Sequence, residues 1–263
     1  MHVTYFIPGP LSRGPLGFGE LERRRAYLER HAAPGTTVAV QDSEEGPASI
    51  ESSAEEALSV PALLAAAPRL ESDGTNAIIV GCFGDPGLCA AREVTRIPVV
   101  GPGQASGHLA AQLGDRFAVL TVVDEVVPSV YRQMRGHGLE GFVSEVRAVD
   151  VPVLELRSRR EQVLVTLEDE GRAAMANGAD TIVLGCMTMG FLDLTRDLQE
   201  RLGVPVVNPV VAALKAAEGM VAAGLAPSAQ AYPAPRKQLA EVSVGSADGQ
   251  MGDEGRGQPL EQP

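Results

Sequence analysis

The sequence predicts an α/β fold made of two pseudo-symmetric parallel-sheet domains that face each other across a cleft. Short β-branched runs alternate with longer amphipathic segments, which is typical of parallel strands joined by crossover helices. In addition, NAIIVGCFG at 76–84 and DTIVLGCMT at 180–188 align without a gap, 104 residues apart. The chain has 263 residues, of which 44% are hydrophobic and 21% charged. This length lets each of two small domains bury its own core, and the composition excludes a fibrous or fully disordered protein.

The first copy of the repeated unit is predicted to carry four strands and two helices. The strands are expected in aliphatic and β-branched runs at Val3–Ile7, Thr36–Val40, Ala77–Val80 and Ile97–Val100. One helix is predicted at Gly19–His31, where Leu21 and Leu28 recur at helical spacing. The other is the Ala-, Glu- and Leu-rich segment Ala54–Leu70.

The second copy repeats this pattern. Its strands are predicted at Phe117–Val123, Val143–Val146, Thr181–Leu184 and Val204–Val207. Asp124 is a good N-cap for a helix that reaches about Arg135. A longer helix is predicted at Arg159–Ala176, with Val163 and Leu167 on one face.

The domain boundaries follow from the repeat. We expect residues 1–100 plus 208–227 to form the first domain and residues 101–207 to form the second. From residue 228 to 263, Pro, Gly, Ser, Gln and charged residues dominate and the apolar period is lost. That composition predicts a disordered tail.

Charge and cysteine content exclude several classes of protein. The formal net charge is −12, which argues against a nucleic-acid partner, since such proteins usually present a basic face. No run approaches the roughly 20 apolar residues of a membrane span, and MHVTYFIPGP does not read as a signal peptide. The three cysteines are too few for a disulfide framework, so we expect a cytoplasmic protein with free thiols.

Two of the cysteines occupy equivalent positions in the repeat. Cys82 and Cys186 each follow a predicted strand, and ligands of open α/β sheets bind outside the carboxyl ends of the strands. Asp85-Pro86 and Thr188 are candidate N-caps for the helices that would follow. Because a helix N-terminus favours negative charge, we expect both thiols to have depressed pKa values.

Two opposed thiols can invert a stereocentre that carries an acidic C–H bond. One thiolate removes the proton and the other thiol donates one from the opposite face, while backbone N–H groups stabilise the carbanion. No metal or organic cofactor is expected, because the chain lacks GxGxxG, GxxxxGK[ST] and HExxH motifs and its histidines have no ligand-like spacing. The competing interpretation is that each cysteine is a small buried hydrophobe. Cys89, which has no counterpart in the second copy, is interpreted as a packing residue.

At these residues the chain resembles the aspartate/glutamate/hydantoin racemase superfamily, most closely its hydantoin racemase branch. The resemblance covers about residues 1–225 and is carried by IIVGCFGDPGLCAARE, RFAVLTVVDEVVP, VRAVDVPVLEL, GADTIVLGCMTMG and LGVPVVNPVVAALKAAE. It implies two similar α/β domains with the active site between them, and cofactor-independent 1,1-proton transfer on a small molecule. It also implies a possible homo-oligomer. The substrate would be a 5-substituted hydantoin, allantoin or a related ureide, or an amino acid.

Carried over by position, the resemblance makes Cys82 and Cys186 the catalytic acid–base pair. The expected substrate-binding residues are Phe83, Gly84, Thr121, Met187 and Thr188, with main-chain N–H groups contributed by all except Thr121. Two segments depart from the branch. Pro8-Gly9-Pro10-Leu11 stands where the branch usually has Asn-Pro-Asn-Thr, and Met187-Thr188-Met189 replaces Ala-Gly-Met after the second cysteine.

Two alternatives to a racemase stay open at this point. Maleate-type cis–trans isomerases of the superfamily also keep two cysteines and use one as a nucleophile. A ligand-binding protein that kept the fold and lost the chemistry is the other alternative, since a fold does not establish an activity.

Overall fold

Two four-stranded parallel sheets organise the computed structural model, which describes residues 1–236. The first sheet has the order β2-β1-β3-β4 and consists of β1 (His2–Ile7), β2 (Thr37–Asp42), β3 (Ala77–Val80) and β4 (Val99–Val100). The second has the order β6-β5-β7-β8 and consists of β5 (Phe117–Thr121), β6 (Val143–Ala148), β7 (Thr181–Leu184) and β8 (Val206–Val207). The strand order is the same in both sheets, which confirms the predicted α/β fold with two similar units.

Helices connect the strands as parallel pairing requires. Those of the first half are α1 (Gly19–His31), α2 (Ser53–Ser72), α3 (Leu88–Val94) and α4 (Pro102–Ala110). Those that follow are α5 (Val127–Gly136), α6 (Arg160–Ala176), α7 (Met187–Gly190), α8 (Thr195–Leu202) and α9 (Pro209–Ala222). The predicted bounds of α1, β3 and β7 match the structure, whereas α4, α8 and α9 were not predicted. Among residues 1–236, no helix is long and apolar enough to cross a membrane.

In each sheet, the pairing of the two central strands ends in the same close backbone contact. The N–H of Gly81 donates to the carbonyl of Phe6 at 2.7 Å, and the N–H of Gly185 donates to the carbonyl of Leu120 at 2.7 Å. A Cβ on Gly81 would lie 2.7 Å from that Phe6 oxygen, and one on Gly185 would lie 3.0 Å from that of Leu120. Glycine is therefore required before each cysteine of the repeat.

The core joins the two halves of the chain. Phe191, just after α7, packs edge-on against Tyr5 of β1 and Tyr27 of α1, with ring centroids 5.4 Å apart in each pair. Met187 and Val210 are buried in the same apolar cluster. The segment that follows the second cysteine is thus fixed by side chains of the first sheet, and apolar burial of this kind is the main stabilising contribution to folding.

The structure corrects the predicted N-cap at Asp85. Helix α3 begins only at Leu88, and the Asp85 carboxylate turns to another helix. It accepts the backbone N–H groups of Gly103 (2.9 Å) and Gln104 (2.8 Å) at the start of α4. The N-cap residue of α4 is Gly101, which has no side chain of its own to cap the helix. Asp85 therefore supplies the missing acceptor from the loop after Cys82.

Two further predicted N-caps, Thr188 and Asp124, are also wrong, because the helices begin at other residues. Thr188 lies inside α7, and the residue at the N-cap position of that helix is Cys186. Asp124 instead opens a short 3-10 turn, and α5 starts at Val127. Pro128, in the first turn of α5, fixes that later start because its φ suits a first helical turn and it has no N–H to satisfy.

The beginning of the predicted tail contacts the first half of the chain. Arg92 is buried, and its Nη1 donates to the hydroxyl of Tyr232 at 3.2 Å while the guanidinium lies 5.5 Å from the centre of the tyrosine ring. A cation and an aromatic ring stabilise this contact together. The disorder predicted for residues 228–263 stays a prediction. Residues 237–263 of the predicted tail lie outside the described residues.

Asn208 provides a test of how α9 is held. Its side chain accepts the N–H of Val210 at 2.9 Å, and its amide nitrogen lies within 3.0 Å of acceptors on Tyr27, Gly190 and Thr195. We expect Asn208→Ala to lower the free energy of unfolding by about 2–3 kcal/mol, since a cap is lost and buried polar groups are left unpaired. Urea unfolding followed by circular dichroism measures it.

The matched control is Asn177→Ala, which removes an exposed asparagine at a helix end. It should change the free energy by no more than about 0.5 kcal/mol. Equal losses in the two variants would contradict the assigned role of Asn208.

Candidate active site

A cleft between the two halves opens at the carboxyl ends of β3 and β7. The empty space in this cleft is about 820 Å³, a volume that includes the part open to solvent. Residues that follow both central strands line it, and these are Cys82, Phe83, Gly84, Cys186, Met187 and Thr188. The repeat in the sequence thus brings its two cysteines to one cavity, as the position of ligand sites in open α/β folds predicts.

Thr121 is the predicted site residue that does not reach the cleft. Its side chain is fully buried, and its Cβ lies 3.2 Å from where a Cβ of Gly185 would stand. Its Oγ1 has no hydrogen-bond partner within the described part of the chain. The next residue, Val122, lines the cleft instead. Successive side chains of a strand point to opposite sides, so a shift of one residue exchanges the two positions.

Cys82 is a partly buried thiol with anionic neighbours. Burial raises the pKa of Cys82 far above its usual range, and the nearby charges of Glu56, Cys186 and Asp85 raise it further. One hydrogen bond, from the backbone N–H of Gly84, acts in the opposite direction. The predicted depression of this pKa is wrong, because desolvation penalises the thiolate and α3 starts too late to reach the sulfur.

Cys186 is buried, but its neighbours favour the thiolate. Burial raises its pKa, while backbone N–H groups of Met189 and Thr188, the charge of Arg24 and the hydroxyl of Thr188 lower it. The predicted depression is wrong here as well, since the effect of burial is the larger. Met189, which was not among the expected substrate-binding residues, contributes a main-chain donor.

The hydroxyl of Tyr5 lies within the influence of both sulfurs. Burial raises the pKa of Tyr5, Arg24 lowers it, and the charges of Cys82 and Cys186 raise it. The hydroxyl donates to the carbonyl of Gly81 at 3.4 Å. The charges of both sulfurs therefore act on one buried tyrosine of β1.

A buried ion pair supports the Cys186 side of the cleft. Arg24 lines the cavity, contacts the carboxylate of the fully buried Glu20 at 2.9 Å and donates to the hydroxyl of Thr188 at 3.0 Å. Burial opposes ionisation of Glu20, but hydrogen bonds from Arg23 and Arg24 lower its pKa overall. This pair was not predicted, although a Glu and an Arg four residues apart on one helix face are a detectable signal in the sequence.

Two polar side chains on the Cys82 side were also missed. Glu56, in the first turn of α2, and Gln133, on α5, both line the cleft. The Glu56 carboxylate makes no hydrogen bond or ion pair within residues 1–236; burial raises its pKa, the charge of Arg132 opposes this, and that of Asp85 adds to it. Gln133 donates through Nε2 to the carbonyl of Phe83. An acid in the first turn of a helix is an ordinary sequence feature, and so is a glutamine within a helix. The sequence therefore gave no reason to select either residue as part of the site.

The second half of the chain also holds the loop after Cys82 in place. Besides the bond from Gln133 to Phe83, Nε2 of His137 lies 3.0 Å from the carboxylate of Asp85. Both donors come from the C-terminal end of α5. The position of Cys82 thus depends on a helix of the opposite half.

Residues 8–11, which depart from the expected family pattern, form an apolar rim of the cleft. Pro8, Gly9 and Leu11 line the cleft beside Pro47 and Ile50. The two loops press together, since a Cβ on Gly9 would clash with the backbone oxygen of Pro47. The rim therefore offers mostly hydrocarbon to a bound molecule, and the hydroxyl of Ser49 is a polar group among the residues that line it. Within residues 1–236, no three His, Cys, Asp or Glu side chains form a candidate metal site.

Comparison with known proteins fits this geometry. A family model described as Asp/Glu/Hydantoin racemase matches residues 21–217. The chain belongs to this family. It is 41% identical over 214 residues to the hydantoin racemase of Rhizobium meliloti, covering 79% of this chain and 86% of the relative. The predicted resemblance to the hydantoin racemase branch, and the predicted class of isomerase, are confirmed.

Solved structures of the same family superpose on the whole fold. An allantoin racemase from Klebsiella pneumoniae has a TM-score of 0.81 at 30% identity, covering 90% of this chain and 94% of its own. Another from Pseudomonas fluorescens has a TM-score of 0.82 at 27% identity, covering 90% and 98%. This racemase therefore shares its two-unit architecture with them.

The burial of the two thiols predicts how they react. With iodoacetamide at pH 7.5, we expect Cys82 and Cys186 to be alkylated at least about tenfold more slowly than the exposed Cys89, because a raised pKa leaves less thiolate. Peptide mass spectrometry follows each site separately. The rates of the two buried thiols should rise at higher pH than that of Cys89, which serves as the internal control. Faster alkylation of Cys82 or Cys186 at neutral pH would contradict the raised pKa values.

Proposed function

We propose that this racemase inverts the acidic C–H stereocentre of a small cyclic ureide, and that a 5-substituted hydantoin is its substrate. The reaction is a cofactor-independent 1,1-proton transfer between Cys82 and Cys186. The observation that supports this proposal is the equivalent position of the two cysteines, each placed after a central strand and both lining one cleft. The hydantoin racemase relative supports the choice of substrate.

The proton passes from one face of the substrate to the other. A thiolate removes the proton from C5 of the ring, and the electron pair of the broken C–H bond is delocalised onto the neighbouring carbonyl oxygen. The opposite thiol then gives its proton to C5, so that one thiol and one thiolate remain with exchanged roles. A base desolvated by burial is stronger than a free thiolate, which suits the weak acidity of such a C–H bond.

The two thiols start from different protonation states in this proposal. Arg24 and the backbone N–H groups of Thr188 and Met189 favour the thiolate at Cys186, whereas carboxylates near Cys82 favour its protonated form. Cys186 is then the base for the enantiomer whose hydrogen faces it. Phe83, Gly84, Met187 and Thr188 would border the substrate, and Met189 joins them as a main-chain donor. Thr121 is not proposed as a contact.

The charges of the cleft support a neutral substrate. Arg24 and Glu56 are the charged residues among those lining it, and Arg24 is already paired with Glu20. A dicarboxylate would meet an unpaired carboxylate and no free cation in the described part of the cleft. This disfavours the maleate-type alternative. The apolar rim favours a hydrocarbon substituent at C5 over the polar ureido group of allantoin.

The remaining expectations concern the surroundings of the enzyme. We propose a cytoplasmic location, because Cys82, Cys89 and Cys186 are all free thiols in the structure. The possible homo-oligomer and the domain boundaries at residues 100 and 207 stay predictions.

Deuterium exchange tests the proposed reaction. Incubated in D₂O with a single enantiomer of 5-isopropylhydantoin, the wild type should produce the opposite enantiomer with deuterium at C5. Cys82→Ala and Cys186→Ala should each lower inversion at least about 100-fold, since a general acid or base is lost. Chiral chromatography and mass spectrometry measure both quantities, and Cys89→Ala is the control that should retain full activity.

Hydrogen exchange without inversion distinguishes a mechanism with one base from a mechanism with two. Each alanine variant keeps one thiol, so each should exchange the C5 hydrogen of only one enantiomer, and the two variants should choose opposite enantiomers. If both variants exchange the same enantiomer, the assignment of two bases is wrong. If the wild type incorporates no deuterium into hydantoins, allantoin or amino acids, the protein is better explained as a ligand-binding member of the family.

A further inference from the structure

We infer that Glu56 and Gln133 form an acceptor wall that binds the N–H group attached to the reacting carbon of the substrate. In a hydantoin this group is N1–H. The inference rests on the proposed function, because it assumes that the reacting carbon lies between the two sulfurs. It goes further by assigning a specificity role to two side chains outside the cysteine motifs.

Glu56 brings a free carboxylate next to Cys82. The carboxylate and Cys82 Sγ both lie beside the Cα of Gly84, where an added Cβ would clash with Glu56 Oε1 and stand 3.7 Å from the sulfur. Gly84 is thus the residue that leaves room for the carboxylate. Since the Glu56 carboxylate has no hydrogen bond or salt bridge within residues 1–236, its acceptor capacity is available to a ligand that approaches Cys82.

Gln133 brings a second acceptor to the adjacent residue of the same loop. Its Nε2 donates to the carbonyl of Phe83, which fixes the orientation of the amide. Its Oε1 is buried and has no partner among the described residues. Gly103 provides the space for this amide, because a Cβ there would clash with Gln133 Nε2 and with the Phe83 oxygen. A buried acceptor without a partner is costly, and a bound donor would relieve that cost.

Two unpaired acceptors, each beside a residue of the Cys82 loop, call for a ligand with N–H donors. Among the other polar side chains of the cleft, Arg24 is paired with Glu20, and the hydroxyls of Ser52 and Ser129 donate to Glu55 and to a backbone carbonyl, whereas Ser49 has no side-chain partner among the described residues. A substrate carbon held against Cys82 places its directly bonded nitrogen nearest to Glu56. N1–H of a hydantoin meets this requirement, whereas an N1-methyl derivative replaces the donor by a methyl group.

Calorimetric binding of matched ligands to the full chain tests the acceptor wall. The ligands are 5-isopropylhydantoin, its N1-methyl derivative and its N3-methyl derivative. We expect the wild type to bind the N1-methyl ligand ten- to a hundredfold more weakly than the parent, as loss of a hydrogen bond to a charged acceptor predicts. Glu56→Leu should bind these two ligands with affinities within about threefold of each other, while its preference between the parent and the N3-methyl ligand should stay as in the wild type.

Conservative variants keep the test valid if Glu56→Leu does not fold. Glu56→Gln keeps a neutral acceptor and should retain only part of the N1-methyl discrimination, and Gln133→Leu should likewise reduce it. Glu161→Gln is the matched control, because Glu161 is exposed and lies in the first turn of α6 as Glu56 lies in that of α2. It should bind all three ligands like the wild type.

The outcomes separate this inference from the proposed function. Unchanged N1-methyl discrimination in the Glu56 and Gln133 variants, equal binding of the parent and N1-methyl ligands by the wild type, or binding of neither would overturn the acceptor wall. Discrimination that disappears with Glu56 supports it even if the wild type exchanges no deuterium, and in that case only the proposed reaction fails.

Discussion

The close contact between neighbouring strands at Gly81 and Gly185 determines where the two thiols lie. Each glycine presses its N–H against a carbonyl of the adjacent central strand at 2.7 Å, which a side chain would prevent. The following residue then leaves the sheet at its carboxyl edge and faces the other half of the chain. Because the strand order is the same in both sheets, one backbone constraint, used twice, brings two cysteines to one cleft.

Burial and charge act against each other at these sulfurs. Desolvation raises the pKa of both thiols and disfavours each thiolate, unless neighbouring groups help to stabilise its charge. The help is unequal: a buried guanidinium lies on the side of Cys186, and carboxylates lie on the side of Cys82. Two pseudo-symmetric halves therefore provide two chemically different sulfurs. The asymmetry comes from Arg24 and Glu56, which lie outside the repeated segment.

Most of the fold could be predicted from the repeat in the sequence, because strands and glycine-cysteine turns depend on local residue patterns that both copies share. Predictions failed where a residue interacts with a distant element. Asp85 has the local features of an N-cap but caps α4, since Gly101 leaves the first turn of that helix without a side-chain acceptor. Thr121 was misplaced by one residue at a strand end, where Val122 takes the place at the cleft. Glu56 and Gln133 gave no signal because their role depends on which loop they meet in three dimensions.

Gln133 links the shape of the site to its proposed selectivity. Its amide donates to the Phe83 carbonyl, so the same side chain that holds the Cys82 loop also carries a buried acceptor without a partner among the described residues. His137, one turn further along, holds Asp85 of the same loop. A movement of α5 would therefore displace Cys82 and the acceptor together. Coupling of this kind keeps the N–H that is recognised and the carbon that reacts at a fixed separation, as proton transfer between two opposed groups requires.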